Sequence, residues 1–155
     1  MYRRERRADG LTISLAARLD LVERACADVE ALLVEAGRRN SVFVALLGLR
    51  EALTNAICHG AGQDAAKKIA VAVRCEEEGI VIRVSDPGPG FDWRKRIAER
   101  LACMAHPSSQ LPERGRGLCI LLHYCSGVSF SARGNVVEMQ LATGAAANEP
   151  DESCQ

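Results

Sequence analysis

The chain reads as an α+β protein, a two-layer sandwich in which a mixed, mostly antiparallel sheet is covered on one face by helices. Two observations predict this. Short stretches alternate apolar and polar residues as half-buried strands do, and longer stretches between them carry apolar residues at helical spacing. Their order is strand, two helices, two strands, helix, loop, helix, two strands, which suits antiparallel strands backed by helices. At 155 residues the chain is one domain, long enough to remove roughly two-thirds of its unfolded surface from water.

The elements follow in order. Leu11, Ile13 and Leu15 alternate with Thr12, Ser14 and Ala16, a short strand. Asp20 is placed to cap a helix whose core face is Val22, Ala25, Val29, Leu32, Leu33 and Ala36, and Gly37 closes it. Asn40 or Ser41 opens a second helix that runs to Gly60, roughly 30 Å at 1.5 Å per residue. Gly60 to Asp64 is a loop. Ile69, Val71 and Val73 mark a strand, residues 76–79 a charged turn, and Ile80, Ile82 and Val84 its hairpin partner. Asp92 caps a helix reaching about Cys103. Prolines and serines between Ala105 and Arg114 make a loop, and Leu118 to Cys125 is an apolar helix. Strands over 128–132 and 136–141 close the fold, joined by Arg133-Gly134-Asn135. The domain is expected over 11–142, with a basic arm at 1–10 and a disordered acidic tail at 144–155.

Composition narrows the function classes. Hydrophobic residues make up 48% and charged residues 26%, as in a soluble globular protein. Twenty basic residues balance twenty acidic ones, so a nucleic-acid partner is not expected. Seven cysteines without a Cys-x-x-Cys pair argue against a disulfide framework or zinc site, and Cys119 and Cys125 are expected to face the core. The apolar run after the first arginines is too short and too soon interrupted for a secretion signal. No window is expected to approach 18 apolar residues, so no membrane partner is expected either. A reducing cytoplasm is the expected location.

Three stretches carry polar residues in patterns suited to chemistry. Glu51 and Asn55 lie four apart, on one face of the second helix, with His59 a turn later. The carboxylate can accept a proton, and the carboxamide oxygen can ligate a hard cation such as Mg²⁺. Asp86-Pro87-Gly88-Pro89-Gly90 ends a strand, where glycines admit a close ligand and Asp86 can accept a hydrogen bond from an exocyclic amine. Gly115-Arg116-Gly117 before a helix can cradle a phosphate. Walker and Rossmann glycine patterns are absent from the sequence.

Taken in this order, Glu-x-x-x-Asn, Asp-x-Gly-x-Gly and Gly-x-Gly resemble the boxes of the GHKL (Bergerat-fold) ATPases. Within them the chain resembles the anti-sigma factor and serine-protein kinase family, the single-domain switch-protein kinases of bacteria. Glu51 to Ala56 with His59-Gly60 is similar to that family's N-box. Residues 86–92 are similar to its first glycine box, Gly115-Arg116-Gly117-Leu118 to its second, and Gly134-Asn135 precedes the last strand as expected.

The resemblance implies a Bergerat-type sandwich that binds ATP and Mg²⁺. Glu51 would be the general base and Asn55 the metal ligand. Asp86 would read the adenine amine, with Gly88 and Gly90 shaping the pocket wall. Gly115 and Gly117 would meet the phosphates, residues 104–114 would form the lid, and Arg114 would stabilise the transferred phosphoryl. Thr54 and Arg116 are weaker candidates for the same region. His59 is expected to be structural, and Trp93 to Arg96 a solvated helix end. The implied activity is phosphorylation of a STAS-type anti-anti-sigma protein on Ser or Thr, with a sigma factor as second partner. A non-catalytic ATP-binding module is the alternative. Sensor histidine kinases share the boxes but need a dimerisation helix pair, for which residues before Leu11 leave no room. Relatives often dimerise, which leaves a homodimer open here.

Overall fold

A computed structural model describes residues 1–104 and 121–142. Its centre is a six-stranded sheet made of β1 (Tyr2–Arg7), β2 (Gly10–Ala16), β3 (Lys68–Cys75), β4 (Gly79–Ser85), β5 (Gly127–Phe130) and β6 (Val136–Ala142). The spatial order is β1-β2-β3-β4-β6-β5, and all five pairings are antiparallel. Helices α1 (Val22–Glu35) and α2 (Val42–Asn55) pack against each other and on the sheet, and α3 (Trp93–Met104) follows β4. Residues 121–124 are also helical. The predicted two-layer α+β class is the observed one.

The core lies where the alternation places it. Leu11, Ile13 and Leu15 of β2, Ile69, Val71 and Val73 of β3, and Ile80, Ile82 and Val84 of β4 are all buried. From the helices, Val29 and Leu33 of α1 meet Leu49 and Leu53 of α2 in the same cluster. Burying each such side chain stabilises the fold by about 1.5–3 kcal/mol. Helix α1 ends in a Schellman motif. Gly37 adopts φ +73°, and the amides of Gly37 and Arg38 bond the carbonyls of Val34 and Leu33 at 3.1 and 2.7 Å.

Four details depart from the sequence reading. Asp20 does not cap α1. Its carboxylate is held bidentately by Arg18 at 2.9 and 2.7 Å, and α1 starts from a 3₁₀ turn at Leu19–Leu21 without a side-chain cap. The arginines near the N-terminus lie on β1, a strand with no apolar alternation to announce it. It is secured by pairing to β2 and by side chains reaching α1: Tyr2 and Arg4 to Asp28, and Arg6 to Glu35 at 2.8 Å.

The second helix is not uniform. It enters through a 3₁₀ turn at Arg39–Ser41 and leaves through a π-helical turn at Ala56–Gly60, where the Ala61 amide bonds the Ala56 carbonyl at 2.8 Å. Finally, the whole run Arg39–Gly60 contains an 18-residue window of mean hydropathy 1.4, enough by length and composition for a membrane span, contrary to the expectation above. Its apolarity serves the core: Ala45, Leu49, Ala52, Leu53, Ala56 and Ile57 are buried.

The predicted loop 105–114, the start of the following helix and the tail 144–155 lie outside the described residues.

Candidate active site

One cleft collects most of the polar residues singled out above. It opens between the C-terminal half of α2, the end of β4 and the turn joining β5 to β6. Glu51 and Asn55 line it from α2, His59 and Gly60 from the π-turn, Asp86 and Gly90 from the loop after β4, and Asn135 from the opposite turn. Leu121, Val84 and Val137 supply an apolar wall. The three strongest expectations, Glu51, Asn55 and Asp86, are therefore brought together.

Their presentation follows from the helix. Residues 52 and 53 are buried on either side of the core seam, which turns Glu51 and Asn55 outward, about 6 Å apart along the axis. Asn55 is exposed and Glu51 half-buried. Arg50 does not neutralise its neighbour, because its guanidinium binds Glu23 of α1 at 2.8 and 3.0 Å. The Glu51 carboxylate makes no hydrogen bond or ion pair with another described residue, so it is left to accept a proton from a ligand.

Asp86 is set differently. The Gly88 amide donates to its Oδ1 at 2.7 Å, an Asx-type bond across two residues. Oδ2 remains as the acceptor for a ligand. Burial pushes the Asp86 carboxyl above its ordinary pKa, and the Gly88 amide offsets this in part. The carboxylate lies tight against the π-turn: a Cβ at Gly60 would collide with its Cγ, and one at Gly88 with the Gly60 carbonyl. Gly60, read from the sequence as a helix end and as the close of the N-box, thus lies at the site because of its approach to Asp86.

The glycine loop is laced to the β5–β6 turn. The Phe91 amide donates to Arg133 O at 2.9 Å, and the Arg133 guanidinium donates to Gly88 O at 3.3 Å. Gly90 has φ +81°, and a Cβ there would overlap the Arg133 carbonyl oxygen. Both the backbone conformation and the space require glycine. Gly90→Ala should therefore lower stability by more than about 1 kcal/mol, read as a lower urea midpoint. An unchanged midpoint would show that the loop does not need this approach.

Beyond the loop, the Asp92 carboxylate accepts the Lys95 amide at 3.1 Å, the expected cap of α3. Trp93 stacks on Phe130 at 5.4 Å and donates its indole N–H to Ser131 O at 3.1 Å, while Phe91 meets Phe130 edge-on at 5.7 Å. Arg96, expected in a solvated helix end, is exposed but also lines the cleft, as do Phe91 and Phe130. Phe91 belongs to the glycine box read from the sequence, but nothing in a single sequence separates Arg96 and Phe130 from ordinary helix and strand residues, because their convergence depends on the β5–β6 turn.

The remaining candidates divide. Gly88 is buried beside Asp86 and shapes the wall from behind, and Thr54, half-buried on α2, does not line the cleft. His59 also lines it. Arg114, Gly115, Arg116 and Gly117 lie outside the described residues.

An antiparallel α+β sandwich with a helix-borne Glu–Asn pair facing a strand-end carboxylate across a cleft is the framework of a GHKL-type ATPase. A family model described as a histidine kinase-like ATPase domain matches residues 15–141. The chain belongs to that family. No curated protein matches it.

Proposed function

We propose that this chain is an ATP- and Mg²⁺-dependent serine/threonine protein kinase, acting as an anti-sigma factor or partner-switching regulator that phosphorylates a STAS-type anti-anti-sigma protein in the cytoplasm. The observation that carries the reading is the placement of Glu51, Asn55 and Asp86 in one cleft. A base-reading carboxylate alone would suit a nucleotide binder, and the proton acceptor beside it suits transfer.

The residues fit the ligand chemistry. Asp86 offers a partly buried acceptor for an exocyclic amine, and the close approach at Gly60 and Gly88 holds it in place. Asn55, an exposed carboxamide at the cleft rim, would hold Mg²⁺ through its oxygen. The metal would supply charge neutralisation at the phosphates. Glu51 takes the proton from the attacking Ser or Thr hydroxyl of the partner, leaving the oxygen free to attack the γ-phosphorus of ATP while ADP departs. Arg114 would stabilise charge on the transferred group, with Gly115 and Gly117 against the phosphates.

The test is incubation of the protein with γ-labelled ATP, Mg²⁺ and a STAS-type candidate partner. Label on a partner Ser or Thr is expected. ATP binding without label transfer would overturn the kinase reading and leave an ATP-dependent binding module. Asn55→Ala should weaken Mg·ATP binding about tenfold or more in calorimetry, with a much smaller effect when Mg²⁺ is replaced by EDTA. An equal loss in both conditions would remove Asn55 from the metal site.

A further inference from the structure

The register of β4 on β6 pairs Ser85 with Val136, which sets Asp86 opposite Asn135 one step beyond the ladder. The two residues are bonded twice. The Asp86 amide donates to Asn135 O at 3.0 Å, and Asn135 Nδ2 donates to Asp86 O at 3.1 Å. In the second bond a side chain takes up the carbonyl that the ladder leaves behind. The Asn135 amide is itself oriented. Ser131 Oγ donates to Asn135 Oδ1 at 3.0 Å and accepts the Val136 amide at 3.3 Å. Since the Asp86 carbonyl can only accept, the nitrogen of the Asn135 amide must be the atom facing it, which leaves Oδ1 to accept from the Ser131 hydroxyl.

We propose that Asn135, oriented by Ser131, is a positioning residue for base selectivity: it fixes the backbone of Asp86, so that Oδ2 meets the exocyclic amine of a purine. The inference rests on the nucleotide reading above and deepens it. Asp86 has three sources of alignment. Gly88 holds Oδ1 from within its own loop, the Asn135 carbonyl holds the Asp86 amide, and the Asn135 side chain holds the Asp86 carbonyl from across the sheet. Without the side-chain bond, the peptide that follows Asp86 can rotate beyond the last ladder bond and the carboxylate moves with it. The contacts that read a ligand amine depend on such alignment within about 0.5 Å. Phosphate and metal contacts arise on α2 and beyond, so they do not share this dependence.

The experiment compares ATP with inosine triphosphate, which carries an oxo group in place of the amine. Wild type is expected to prefer ATP. In Asn135→Ala the preference should fall about five- to tenfold, the worth of roughly one aligned hydrogen bond, with inosine triphosphate affinity held within about twofold. Ser131→Ala, which keeps Asn135 but releases its amide, should show the same change to a smaller degree. A structural role alone would weaken both nucleotides together. An unchanged ATP to inosine triphosphate ratio in both variants therefore overturns the inference. Equal affinity of wild type for the two nucleotides would remove Asp86 as the reader of the amine and overturn the inference, whereas failure to bind either would overturn the nucleotide reading itself.

Discussion

Replacing Glu51 with Gln is expected to reduce phosphoryl transfer by roughly 10²- to 10⁴-fold, the usual contribution of a positioned general base. ATP affinity should stay within a few-fold of wild type, because the base acts mainly in the transition state. The physical ground is the isolation of this carboxylate. Arg50 is committed to Glu23, so Glu51 loses no partner among the described residues when it becomes an amide, and the helix keeps its shape. Single-turnover transfer beside calorimetric ATP affinity would separate the two effects. Equal transfer by the variant would remove Glu51 from the base role. A parallel loss of binding would instead assign it to ligand contact.

Asp86→Asn should have the next largest effect, and it acts on binding. Oδ1 accepts the Gly88 amide, so in the variant the amide nitrogen takes the place of Oδ2 and points a donor at the ligand amine. ATP affinity is expected to fall about 10- to 100-fold, as for a lost hydrogen bond to a charged group. Acid should mimic the substitution in wild type, because a proton goes to the unengaged Oδ2. Affinity should therefore decline as pH drops through a midpoint above 3.8, the ordinary value for the group, and the variant should lack this dependence.

Stability should move the other way. A carboxyl whose folded pKa is raised contributes its full stability at low pH and loses it as pH rises through the folded value. The ligand-free variant at neutral pH should accordingly melt no lower than wild type. A lower melting temperature would show that the charge supports the fold, contrary to the burial that raises its pKa.

The legible part of the molecule was the part written as local pattern. Alternation in β2, β3 and β4 marked their core faces, and Gly37 and Asp92 marked a helix end and a helix start through backbone chemistry confined to a few residues. Where a second partner competed, local reading failed. Asp20 had the side chain of a cap, but Arg18 two residues earlier offers a bidentate ion pair instead. Strand β1 was hidden because its stability comes from β2 and from Asp28 and Glu35 of α1, none of which alters its own sequence. The apolar run of α2 shows the converse: its composition suits a membrane as well as a core, and packing on the sheet supplies the core.

For the site, residue types and spacing showed what Glu51, Asn55 and Asp86 could do, and the resemblance of their order to the family's boxes singled them out. Tertiary structure decided how they meet. The π-turn at Ala56–Gly60 brings Gly60 against the Asp86 carboxylate, and the β4–β6 register brings Asn135 to its main chain. Both depend on residues 26 or more positions apart settling into one cleft. Sequence spacing sets what lies on one face of one element, whereas contact between elements follows from sheet register and packing, which no single segment contains.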